Sequence, residues 1–350
     1  MQSESIPMAA TPSSYERVQR LPRDFAWLTV LIHAALFVAS TVVQLLPMLL
    51  GNEQLRSRYA MPAVWIPMLA HAGMAWLLAA TLAWSHARKA LDERGAASLA
   101  RVLNPGSRFA LAYLVVVIAN IFALSPLLYR LQLLFMPGGA LQDIFDMHGM
   151  RSWMTTTMLI QSIIQLVVLV LGVWLAAWFA LRKGGRVVPA AAPSDVAANE
   201  VPVTTSPRRA IALVGAAVFA SLQVWSATFA SHWTDAVRLM DSTALLLGWI
   251  VLPLLSFALA FWGGWLGADP GLTQVRPFRA VAASVFAFVL AQVICIAAGL
   301  AWLMLAIQFS SVLGSVGGLL GFVVAFVVLY MALAVLLMRA AMRRQYRRYL

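Results

Sequence analysis

The chain predicts an all-α integral membrane protein with about eight transmembrane helices, and three observations carry that prediction. Hydrophobic residues make up 62% of the 350 positions and charged residues only 11%, whereas soluble domains carry about a quarter charged residues. Apolar runs recur at the length an α-helix needs, roughly 20 residues, to cross about 30 Å of hydrocarbon. The runs are continuous rather than alternating, which excludes the short dyad-patterned strands of membrane β-barrels.

Spans are expected at roughly residues 25–50, 62–84, 109–130, 153–181, 210–231, 243–265, 280–308 and 316–338. Residues 1–24 are polar and expected to be unstructured, with Arg17, Arg20 and Arg23 leading into the first span. That span is too long for a signal-peptide core and is read as retained. Pro47, Pro67, Pro126 and Pro253 interrupt spans one, two, three and six, where each frees a carbonyl and permits a kink. The polar stretch DERGAASLAR at 92–101 is expected to form a surface helix against lipid headgroups. Cys295 is the lone cysteine and lies within span seven, so no intrachain disulfide forms.

Residues 182–209, RKGGRVVPAAAPSDVAANEVPVTTSPRR, are the longest polar interruption. Their Pro, Ala, Ser and Gly cannot bury enough surface to offset the entropy of ordering, so they read as a cytoplasmic linker. The linker separates a first four-helix membrane half, 25–181, from a second, 210–338, which is followed by a basic tail, 339–350. PRDFAWLTVLIHAALFVAS at 22–40 parallels PRRAIALVGAAVFAS at 207–221, and Pro67 precedes Trp76 by the same nine residues that separate Pro253 from Trp262. The two halves therefore read as diverged copies. With an even number of spans in each, copies would lie parallel to one another.

Charge orients the chain. Segments 1–24, 85–108, 182–209, 266–279 and 339–350 fall on one side and hold 20 of the 25 basic residues. The opposite side holds Arg56, Arg58, Arg130, Arg151 and Arg238, balanced by Glu53, Asp143, Asp146, Asp235 and Asp241. The positive-inside rule places the first set, with both termini, in the cytoplasm. Arginine greatly outnumbers lysine, present only as Lys89 and Lys183, which points to a bacterial inner membrane. The tail RRQYRRYL reads as an anchor to anionic headgroups rather than as a nucleic-acid site.

No Asp, Glu, Lys or Arg falls in the central part of any expected span. The polar residues there are His71, Asn120, Gln161, Gln165, Gln223 and Gln292, with Ser162 beside the two span-four glutamines. They suit either a substrate path that hydrogen-bonds a neutral, zwitterionic or lipid-like molecule or plain interhelical bonding. Outside the spans, Asp143, Asp146 and His148 cluster in one loop and His232 and Asp235 in another, a carboxylate and imidazole set suited to a divalent metal if the loops converge. The alternative there is helix capping and local salt bridges. Gly314, Gly317, Gly318 and Gly321 form small-residue faces for helix packing, inside the fold or at a homodimer seam.

No cofactor is expected. His33 and His71 stand at depths about 9 Å apart, which argues against a shared haem. The motifs of P-loop nucleotide enzymes, zinc proteases and serine hydrolases are missing, so catalysis is the weaker expectation. The leading reading is a transport or permease-type protein. Its alternative is a non-catalytic membrane subunit, assembly factor or sensor that works through a partner protein. With capping as the role of the loop acids, calorimetric zinc titration should show no binding that a His148→Ala/His232→Ala variant loses.

Overall fold

The computed structural model of the protein describes residues 14–100, 102–141, 150–182, 206–234, 242–272, 274–308 and 316–347. All regular structure among the described residues is helical. Eight helices are long and apolar enough to cross a membrane: α1 (Arg17–Gly51), α2 (Pro62–Arg94), α3 (Pro105–Leu134), α4 (Thr156–Leu181), α5 (Pro207–Phe229), α6 (Thr243–Gly267), α7 (Pro277–Gln308) and α8 (Gly321–Tyr346). Their outer faces present large apolar side chains such as Val43, Phe122 and Ile307, about 70% exposed or more, a surface suited to hydrocarbon.

Proline is used in two ways. Pro62, Pro105, Pro207 and Pro277 each open a helix, where a missing N–H costs nothing. Pro47, Pro126 and Pro253 lie inside α1, α3 and α6, and each directly follows a π-helical turn: Thr41–Leu45, Asn120–Leu124 and Leu247–Val251. The register is the same each time. A proline ring clashes with the carbonyl four residues back, here Val43, Phe122 and Trp249, the middle residue of each π turn. Widening that turn relieves the clash while the chain stays helical. Pro67, which the sequence pairs with Pro253, sits near the start of α2 in unbroken α-helix.

Three stretches differ from the sequence reading. The helical run that contains α1 begins at Ser14, because Val18, Leu21 and Phe25 form one buried face. Phe25 stacks on Phe109 of α3 at 4.1 Å between ring centroids. The basic tail continues α8 in helical form to Tyr346, which is buried. Residues 92–101 are not one surface helix: α2 ends at Arg94, Gly95 turns the chain with φ 73°, and a short helix Ala96–Leu99 folds Leu99 into the core.

α5 is the spine. It contacts α2, α4, α6 and α7, and 72% of its most apolar window is buried, against 6% for α1. Its run of Ala210, Ala212, Gly215, Ala216, Ala217, Ala220 and Ser221 explains this, since small side chains let neighbouring backbones come close. Ser284 of α7 donates to the Gly215 carbonyl at 2.7 Å, and Ser221 of α5 donates to the Met74 carbonyl of α2 at 3.2 Å. α1 touches α2 and α3, and α4 touches the same two; α5 touches α6 and α7, and α8 touches the same two.

At one end of the bundle, arginines cap helix carbonyls left without intrahelical partners. Arg94 donates to Leu181 O at 2.6 Å, Arg108 to Phe179 O at 3.0 Å, Arg279 to Gln345 O at 3.3 Å, and Arg208 to Trp265 O. Arg108 and Arg208 also lie over the rings of the residues they cap, Phe179 and Trp265. This basic end gathers the starts of α3, α5 and α7 and the ends of α2, α4, α6 and α8.

Close helix approach is concentrated between α6 and α8. A Cβ added at Gly263 would lie 2.4 Å from the Val335 carbonyl oxygen, and one at Gly267 would lie 2.4 Å from that of Arg339. The expected packing glycines of α8 stand elsewhere. Gly317 is exposed, Gly318 is half-buried, Gly321 faces open space, and Gly314 lies outside the described residues. Gly263→Ala or Gly267→Ala should therefore push α8 off α6 and destabilise the fold by about 1–3 kcal/mol, the usual range for overpacking. Gly321→Ala should leave thermal unfolding in mild detergent unchanged.

Candidate functional site

The sequence places amides and a histidine at mid-depth in several helices, and the fold decides which of them meet. Where α2, α4, α5 and α7 come together, a cavity of about 340 Å³ opens. His71 reaches it from α2, Gln161, Ser162 and Gln165 from α4, Trp225 and Ser226 from α5, and Phe288 from α7. Leu159 and Ile163 of α4 line the cavity and are also about half exposed on the bundle's flank, so the cavity opens sideways.

Gln161, Ser162 and Gln165 face the cavity together because residues three and four apart share one side of a helix. Both glutamines are held from behind by α3. Asn120 Nδ2 donates to Gln165 Oε1 at 3.0 Å, and Gln132 Nε2 donates to Gln161 Oε1 at 3.1 Å. Asn120 is the first residue of the α3 π turn, which fixes its aim toward α4. Each glutamine oxygen accepts one of these bonds and keeps a second lone pair, so both amides retain hydrogen-bonding capacity beside the cavity.

Trp225 lines the cavity but is 9% exposed, and its Nε1–H is buried away from it with no hydrogen-bond partner among the described residues. Its ring lies 6.0 Å from that of His71, tilted by 31°. An unpaired buried donor costs about 1–3 kcal/mol. The Ser226 hydroxyl instead donates to the Gln223 carbonyl of its own helix at 2.9 Å. Among the described residues no Asp, Glu, Lys or Arg lines the cavity. The arrangement sets a few neutral polar groups within an apolar shell, which suits an uncharged ligand.

The remaining residues of the expected path lie apart. Asn120 stands one layer behind the cavity. Gln223 points the other way along α5 and accepts the Tyr330 hydroxyl of α8, so it ties helices together. Gln292 of α7 is half-buried and is not part of the cavity wall. His33 is engaged by Tyr113, with Nε2 2.7 Å from the phenol oxygen. Of the loop metal candidates, Asp143, Asp146, His148 and Asp235 lie outside the described residues, as does the side chain of His232. Among the described residues no group of three or more His, Cys, Asp or Glu could hold a metal ion.

Trp225 is the residue that sequence reasoning passed over. It stands four residues before the end of the α5 span at Phe229, close to the depth where tryptophan gathers at an interface, so depth alone did not set it apart. No family model, no curated protein and no solved structure matches the chain.

Trp225→Phe removes the orphan N–H together with part of the indole, so the relieved donor and the small void left behind oppose each other and thermal unfolding of the ligand-free protein should change little. Gln165→Ala takes the partner from Asn120 and should lower stability by about 0.6 kcal/mol, the average for interhelical bonds in membrane bundles. Unfolding in the same detergent compares the two.

Proposed function

We propose that this chain is a transport or permease-type membrane protein whose substrate path runs through the cavity between α2, α4, α5 and α7. The substrate is a neutral or lipid-like small molecule. The observation that carries this reading is one cavity of about 340 Å³ whose described lining sets His71, Gln161, Ser162 and Gln165 among apolar side chains. That volume lies at the lower end of small-molecule sites, which run from about 300 to 1,000 Å³. Among the described residues the lining holds no Asp, Glu, Lys or Arg and one titratable side chain, His71, which fits movement of an uncharged substrate down its gradient. The lateral opening at Leu159 and Ile163 fits a substrate that arrives from the hydrocarbon.

The proposal includes two parallel four-helix halves joined by 182–209. Its support is the repetition of neighbour relations. The ring α1–α2–α4–α3 before the linker recurs as α5–α6–α8–α7 after it. The cavity draws His71, Gln161 and Gln165 from the first set and Trp225 and Phe288 from the second, the position a path between halves requires. We also read the basic end as cytoplasmic, in a bacterial inner membrane, from the arginine bias of that side.

One observation favours the alternative of a membrane subunit working through a partner. α1 packs only against α2 and α3 among the long helices, and 6% of its most apolar window is buried, leaving a long flank that a partner helix could cover. Native mass spectrometry of protein purified in mild detergent separates the two readings. The transport reading expects a small molecule or lipid retained by wild type and lost from a Trp225→Phe/Gln165→Leu variant. A stoichiometric protein partner, with wild type and variant equally empty, would replace it with the subunit reading.

A further inference from the structure

The richest charge cluster lies far from the cavity, at the basic end. Arg208 at the start of α5, Arg279 at the start of α7, Arg339, Arg343 and Arg344 in the last turns of α8, and Arg347 just beyond it line two adjoining pockets. Arg339, Arg343 and Arg347 recur every fourth residue, so they form one ridge along the helix. The ridge is shared. On its α7 side lies a pocket of about 1090 Å³ with Arg279 and Arg344, and on its α6 side one of about 360 Å³ with Arg208 and Asp269.

The ridge is held in place by uncharged contacts. Met338, Ala341, Met342 and Tyr346 bury the opposite face of the same helix. The Tyr346 hydroxyl donates to the Arg276 carbonyl at 2.8 Å, and Arg279 Nη1 donates to Gln345 O at 3.3 Å, which together pin the end of α8 to the start of α7. On the other side, Gly267 brings the α6 backbone against that of Arg339. Asp269 is the acid within the smaller pocket, and its Oδ1 accepts the Gly271 N–H at 2.7 Å. Arginine stays charged at any physiological pH, so side chains gathered along one ridge favour an anion among them.

The larger pocket is amphipathic. Its wall includes Leu336, 58% exposed, one turn before the arginines and in line with the exposed Val324 and Val328 of α8's outer face. A phosphate fits the guanidinium forks, which bind its oxygens in pairs, and an acyl chain fits the strip below them. We propose that this pocket is a discrete binding site for an anionic phospholipid, the phosphate held by Arg279, Arg339 and Arg343 and an acyl chain lying along Leu336. The apolar wall favours a lipid over free phosphate, and the massed positive charge disfavours headgroups that carry their own cation. This site stands independently of the transport reading.

The test is titration of delipidated protein, in uncharged detergent, with phosphatidylglycerol, phosphatidylcholine or inorganic phosphate, followed by native mass spectrometry and thermal unfolding. Phosphatidylglycerol should bind wild type and raise its unfolding temperature, and Arg339→Gln/Arg343→Gln should weaken that binding about thirtyfold. Phosphatidylcholine should bind far more weakly. Should the double variant fail to fold, Arg344→Gln alone, on an exposed side chain, should weaken the lipid about fivefold. Equal affinity for the two lipids, or no loss in whichever variant folds, overturns the site. A response to inorganic phosphate with none to phosphatidylglycerol overturns the lipid as its occupant.

Discussion

In apolar surroundings a backbone carbonyl or N–H without a partner costs several kcal/mol, more than most side-chain contacts return, and these eight long apolar helices are shaped around avoiding that cost. Continuous helices are the first consequence. The π turns ahead of Pro47, Pro126 and Pro253 are the second, since each keeps the chain helical at a residue that cannot donate. The arginines that reach from one helix start to another helix end are the third, closing carbonyls that the α-helix itself leaves open. The candidate site inherits this logic, because Asn120 owes its position to a π turn and braces Gln165 from behind.

Much of this was legible in the sequence, and what was missed shares one cause. Hydropathy fixes which residues lie in a helix and how long it is, so all eight long helices fall close to their expected places. It does not fix how a helix is rotated when both lipid and protein surroundings are apolar. His71, Gln161 and Gln165 could be chosen by depth, and they do share a cavity. Gln223 and Gln292 stand at comparable depth, yet one turns toward Tyr330 and the other lies off the cavity wall, a difference of rotation alone. Rotation also decides which glycines pack inside the fold: the tight contact is made by Gly263 and Gly267 of α6, while Gly317 and Gly321 of the glycine-rich stretch face outward. At the termini, Val18, Leu21 and Phe25 carried a readable helical spacing that the polar character of their neighbours concealed.

The two sites divide the chemistry of the molecule. Away from the basic end, helices from before and after the linker meet around uncharged side chains, and in the proposed transport reading selection there would rest on hydrogen-bond sense and shape. At the basic end, full charges are fixed on a rigid frame and selection rests on the sign and geometry of an anion. α5 belongs to both, with Trp225 in the cavity and Arg208 at the arginine cluster. It does so as the most buried helix, with little room to bend between them.

The arginine caps have a mechanical consequence. Ties from α2 to α4, α3 to α4, α5 to α6 and α7 to α8 all gather at one end, while the cavity, reached by Gln161 early in α4 and by Trp225 and Ser226 late in α5, sits toward the other. Each of these ties joins two helices on the same side of the linker, so the caps brace the two groups separately and leave the seam between them to the packing around α5.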